Sequence, residues 1–107
     1  MELKDFLIRG LRALSYKWQA RSEAKKKARV SRGIYECASC KDNWRNKDIC
    51  LDHIDPVIDP VEGFKDWNEY IRRLFCDAEG FQVLCRDCHL KKSRAENEIR
   101  KKHRSKE

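Results

Sequence analysis

The sequence predicts a small α+β domain, stapled by a bound metal ion and led by a basic N-terminal helix. Three observations carry that expectation. Apolar residues recur at helical spacing in Leu3, Leu7, Leu11, Leu14 and Trp18, and again in Trp67, Tyr70, Ile71, Leu74 and Phe75. Short apolar runs bounded by Gly or Pro, at Ile34 to Cys37, Asp48 to Ile54 and Phe81 to Leu84, read as strands. Two C-x-x-C pairs, Cys37/Cys40 and Cys85/Cys88, supply the staple.

A chain of 107 residues buries too little apolar surface for its core to leave much stability in hand. Its six cysteines could serve as disulfides, but Met1-Glu2-Leu3-Lys4-Asp5 is charged from the outset and no apolar signal segment opens the sequence. The expected compartment is therefore reducing and cytoplasmic, where paired cysteines read as metal ligands. No apolar run approaches the roughly 20 residues needed to cross a bilayer, so no membrane association is expected.

Taken in order, the first twenty residues form an amphipathic helix with Gly10 as a mild weakness, and its apolar stripe is expected in the core or in a dimer contact. The helix is expected to continue through Arg32 with Ala20, Ala24 and Ala28 on one face and a basic face opposite. Gly33 ends it. After the first strand, Lys41 to Lys47 reads as a polar turn around Trp44, and the central strand Asp48 to Ile54 follows. Pro56 stops that strand, and the loop behind it carries Asp55, Asp59 and Glu62, for which solvation is the default. Asp66 with Glu69 three residues on is a capping-box pattern that opens the middle helix. Gly80 releases the chain into the second strand, and a last helix is expected from about Arg86 through Ile99. The resulting division is a basic helical arm over 1–33, a stapled domain over 34–99 and a basic tail over 100–107 that frays.

Charge follows the same division. Residues 1–36 carry 10 Lys/Arg against 4 Asp/Glu, or +6; residues 37–88 carry 7 against 11, or −4; residues 89–107 carry 8 against 3, or +5. Basic flanks suit a polyanion such as DNA, whereas an acidic centre repels phosphate unless cations are bound there. Lys25, Lys26, Lys27, Arg29 and Arg32 in the arm, with Lys91 and Arg94 on the last helix, are the expected phosphate contacts. Solvated helical faces are the plain alternative.

Two C-x-x-C pairs complete a closed four-sulfur tetrahedron, the pattern of structural zinc. Closed coordination leaves no position for substrate, so Cys37, Cys40, Cys85 and Cys88 are expected to hold structure and not to catalyse. A redox dithiol would need only one pair. Cys50 and Cys76 lack partner spacing and read as small apolar residues.

The run Asp52-His53-Ile54-Asp55-Pro56, followed by Phe81-Gln82-Val83-Leu84-Cys85-Arg86-Asp87-Cys88-His89-Leu90-Lys91-Lys92, resembles the HNH endonucleases with their ββα-metal finger. More narrowly, it is similar to the small zinc-bearing HNH proteins of bacteriophages. The likeness runs from about Arg29 to Ser93. It implies a DNA endonuclease dependent on a divalent metal, with His53 as general base, since imidazole titrates near ~6.5. Asp52 and His89 would hold the catalytic ion, magnesium by abundance, with manganese, nickel or zinc tolerated by the nitrogen ligand. Lys92, one turn beyond His89, would neutralise phosphate. In this family the position five before the third cysteine is often Asn; here it is Gly80, so the loop behind the base must be braced by other means.

Regular pleating sends Asp52 and His53 to opposite faces, so they can share one pocket only at a strand end. A monomer nicks, while cutting both strands calls for a homodimer through the Leu3 to Trp18 stripe; among such phage proteins, some are mobile endonucleases and some are encoded near packaging genes, which leaves packaging proteins as further partners. The competing expectations are a non-catalytic zinc module that binds nucleic acid and a zinc domain that binds an acidic protein.

Overall fold

The computed structural model describes residues 1–105. Four helices and two small antiparallel sheets make an α+β fold 46 × 28 × 23 Å in extent. Helix α1 spans Leu3–Ser15 and α2 spans Gln19–Ala28, so the expected single helix is broken at Tyr16 to Trp18. Tertiary contacts decide the break. Trp18 takes extended backbone and its indole N–H donates to the Cys76 carbonyl at 2.7 Å, with its ring edge-on to Phe75 at 6.0 Å. That anchor outweighs the modest propensity gained by one continuous helix.

Alanine spacing explains how α2 docks. Ala20 and Ala24 are buried with Ala78 and Phe81, and Trp18, Leu51 and Cys76 pack around them. Small side chains let the helix backbone lie close to the sheet. The stripe on α1 behaves otherwise: Leu3, Leu7 and Leu14 are 71%, 39% and 55% exposed, so this part of it is not core.

Strands β1 (Arg29–Ser31) and β2 (Ile34–Glu36) form a hairpin about Gly33, whose φ of +74° favours a residue without Cβ. Strand β3 (Asn43–Arg45) pairs with β2, placing Tyr35 opposite Trp44. This stretch is a strand and not the turn its polar sequence implies, because three residues are too few to show alternation. A single 3₁₀ turn at Asn46–Asp48 leads into β4 (Ile49–His53).

Strand β4 pairs with β5 (Phe81–Cys85) in a register that sets Asp52 opposite Gln82 and His53 opposite Phe81. Between them lies α3 (Trp67–Leu74), started by the Asp66 carboxylate accepting from the Glu69 N–H at 2.8 Å. Its Tyr70 and Leu74 are buried, but Ile71 is exposed, so the apolar face is narrower than its spacing implied. The last helix, α4 (Arg86–Ser105), leaves β5 without a loop and runs past Ile99 into the expected tail. Arg100 holds it there by reaching the Ile58 carbonyl at 3.4 Å. Residues 106–107 of that tail lie outside the described residues. No helix among the described residues is long and apolar enough to cross a membrane.

Candidate metal centre and cleft

The β2–β3 connection, the end of β5 and the start of α4 bring Cys37, Cys40, Cys85 and Cys88 together, with all four sulfurs within 4.8 Å of one another. Local backbone makes the first pair into a knuckle. The Lys41 N–H donates to the Cys37 carbonyl at 3.0 Å, Lys41 itself has φ +66°, and the Cys37 N–H donates to the Asp42 carbonyl at 2.9 Å. A bond from the Ala38 N–H to the Val83 carbonyl, 2.8 Å, ties the knuckle to β5. A tetrahedral ion with sulfur about 2.3 Å away sets its ligands roughly 3.8 Å apart, so the cluster can hold one structural metal ion with little adjustment. Burial raises Cys37, but hydrogen bonds from the Cys40, Cys85 and Ser39 backbone outweigh it and lower that thiol to about 6. Cys85, in contrast, is pushed up by burial to about 12. A cation bound among the four sulfurs would hold all of them as thiolates.

The second site lies where β4 ends. Asp52 projects toward α4: its Oδ1 faces His89 Nε2 at 3.7 Å, and its Oδ2 accepts from Gln82 Nε2 and from Lys92 Nζ, each at 3.1 Å. Lys92 also donates to Glu96 at 2.6 Å and to the His53 carbonyl at 3.1 Å. Burial pulls the Lys92 ammonium down, yet the hydrogen bonds and charges of Glu96 and Asp52 leave it raised. His89 does return to Asp52. Lys92 is engaged inside the site instead of standing free toward a phosphate.

Two donor atoms 3.7 Å apart can share an ion held about 2.1 Å from each, and a carboxylate with an imidazole suits magnesium, manganese, nickel or zinc. Among the described residues, the four cysteines are the only set of three or more such donors close enough to enclose an ion. Asp52 and His89 thus offer two donor atoms and no third.

His53 projects to the other face, with its ring 4.6 Å from that of Phe81. Its Nε2 lies 3.0 Å from the Leu74 carbonyl. A carbonyl can only accept, so Nε2 carries the proton in the neutral ring and Nδ1 keeps its lone pair. Burial lowers the His53 pKa; the Leu74 carbonyl and Asp52 oppose this, while Arg21 and Arg12 reinforce it. Both faces meet in one cleft of about 300 Å³, lined by Asp52, His53, His89, Leu74 and, from α1, the break after it and α2, Arg12, Tyr16 and Arg21. The strand end lets Asp52 and His53 border one space despite opposite pleat directions.

Gly80 has a local explanation. A Cβ there would stand 2.5 Å from Cys76 Sγ, so Cys76 fills the volume a side chain at 80 would need. The loop is braced by backbone: the Ile54 N–H donates to the Gly80 carbonyl and the Gly80 N–H to the Asp77 carbonyl, each at 2.9 Å. Asp59 also has a local task, accepting from the Val61 and Glu62 N–H groups in a tight turn.

The expected phosphate contacts are scattered. Lys25 lies over the Tyr35 ring, Lys27 pairs with Glu79 at 3.2 Å, and Arg29 Nε donates to the Ser31 carbonyl at 3.3 Å. Lys26, Arg32, Lys91 and Arg94 are exposed. Sequence reasoning missed Gln82, Glu96, Arg12 and Arg21. Glu96 was findable, four residues beyond Lys92 on one helix face; the arginines lie roughly thirty to forty residues before Asp52, and no local pattern points to them. The chain matches no family model, no curated protein and no solved structure.

Proposed function

We propose that this protein is an endonuclease of the HNH type, hydrolysing DNA phosphodiester bonds with a divalent ion at Asp52 and His89 and structural zinc at the four cysteines. One observation carries the reading: a carboxylate and an imidazole face each other at 3.7 Å beside a second imidazole, and all three line one cleft. The order strand, strand, helix, formed by β4, β5 and α4, supports it.

In this reading His53 is the base. Its protonated Nε2 is fixed on the Leu74 carbonyl, so the Nδ1 lone pair takes a proton from the attacking water. Burial keeps the ring neutral at pH 7 and therefore ready to accept. Gln82 orients the Asp52 carboxylate through Oδ2 and leaves Oδ1 directed toward His89. The ion, when bound, supplies Lewis-acid polarisation of the phosphate and charge for the leaving oxygen. DNA is the proposed substrate on the strength of the basic flanks, +6 and +5 about a centre of −4.

The test uses supercoiled plasmid with magnesium or manganese. Wild type is expected to nick or linearise it; His53→Ala is expected to lose that activity while folding and zinc content persist. Intact plasmid with both proteins would end the hydrolytic reading. One observation favours a second reading, a non-catalytic nucleic-acid-binding module: Lys92 already satisfies the Asp52 carboxylate at 3.1 Å. Plasmid retarded on a gel but never cut, with either metal, would support it.

A further inference from the structure

The arm's most constrained cation is not one of its exposed lysines but the half-buried Arg21, which shares a cleft with the exposed Arg12. Arg12 near the end of α1 and Arg21 in the first turn of α2 both line the cleft that holds His53, Asp52 and His89. Neither makes an ion pair or side-chain hydrogen bond with a carboxylate among the described residues. Arg21 is half-buried, with its guanidinium 4.9 Å from the Tyr16 ring centroid and 5.3 Å from that of Phe81. Aromatic faces orient a guanidinium and shield it, but they do not neutralise its charge. Arg72 and Arg73 on α3 show the contrast, since both are paired with Glu69. A half-buried cation without a counter-anion is costly, and an anionic ligand removes that cost.

The break between α1 and α2 is what brings the pair together. A continuous helix would carry position 21 about 13 Å along its axis from position 12, at 1.5 Å per residue. Instead Trp18, anchored on the Cys76 carbonyl, turns the chain so that both residues face one space.

We propose that Arg12 and Arg21 form an oxyanion clamp that grips a phosphodiester of the DNA backbone in the cleft, so that the N-terminal helices complete the site. The inference rests on the nuclease reading for its substrate, but not on catalysis. Bidentate guanidinium contacts would fix the phosphate in the cleft that Asp52, His53 and His89 also line.

The test separates binding from cleavage. A short labelled DNA duplex is titrated with full-length protein, without added divalent ions, for wild type, Arg12→Gln, Arg21→Gln, Arg21→Lys and the control Arg72→Gln. The two Gln variants are expected to bind about ten-fold more weakly, with the salt dependence of log K shallower by about 0.9 for each lost contact. Arg21→Lys should recover part of the loss, and Arg72→Gln should match wild type. Circular dichroism confirms that each variant is folded. Binding and salt slope unchanged in both Gln variants would overturn the clamp, whether or not plasmid is cut. Weakened binding in those variants with no cleavage by wild type would uphold the clamp and end the nuclease reading. An Arg72→Gln loss equal to theirs would also overturn it, by showing only a net-charge effect.

Discussion

His53 is held in one tautomer by a single backbone carbonyl and kept neutral chiefly by burial. The consequence is a signed dependence on pH. Its folded pKa lies below the ordinary 6.5, so between the two values the unfolded chain binds the extra proton and stability rises with pH. The contribution is complete above about 6.5 and is lost as pH falls through the lower folded value. The acid limb of the nicking rate is therefore expected to have its midpoint below 6.5, and Arg21→Gln should move it upward by removing a neighbouring positive charge. A rate profile on buffered plasmid checks both. An acid limb at or above 6.5 in wild type would count against His53 as the base. Gly80 shows why residue-level departures need neighbours to interpret: the missing side chain there is balanced by Cys76, which no spacing rule connects to it.

At the scale of elements, α4 presents His89, Lys92 and Glu96 along one face at helical spacing, and β4 supplies the Asp52 that binds into that row. Lys92 is an internal cation at the place where an external one is proposed. Lys92→Met should therefore leave Asp52 and Glu96 uncompensated and lower stability by about 1–3 kcal/mol without divalent ions. The same change should tighten manganese binding and let manganese restore the lost stability. Urea unfolding with and without manganese, together with calorimetric titration, reads both effects. Weaker manganese binding in the variant would mean that Lys92 organises Asp52 instead of competing for it. The strand pair, the cysteine set and the helix that begins beside His89 were legible because their signals are local: alternation, fixed spacing and an abrupt change of period. The break at Trp18, the burial of α2 by its alanines and the partners of Lys92 were not, because each depends on a residue far away in the chain. Strand β3 was hidden for the opposite reason, being too short to carry a pattern.

Across the whole molecule, one four-sulfur cluster joins the β2–β3 knuckle to β5 and α4, and β5 and α4 carry Gln82, His89 and Lys92. That cross-link would help to make up for a small core of alanines, Phe81, Tyr70, Leu74 and residues beside the cysteines themselves. The two proposed metal sites should therefore respond differently to chelation. A weak chelator of magnesium and manganese removes an ion bound through two protein ligands and should stop nicking while circular dichroism stays unchanged. A strong zinc chelator, or a thiol-modifying reagent, should release the structural ion and unfold the chain, since binding energy at such a site is folding energy. Nicking should then return on adding magnesium in the first case and only after refolding with zinc in the second. Loss of helical signal under the weak chelator would show that the Asp52 and His89 pair is itself structural. Full retention of fold after the cysteines are blocked would show that the helices and the two sheets need no staple, against what the small buried core of this chain implies.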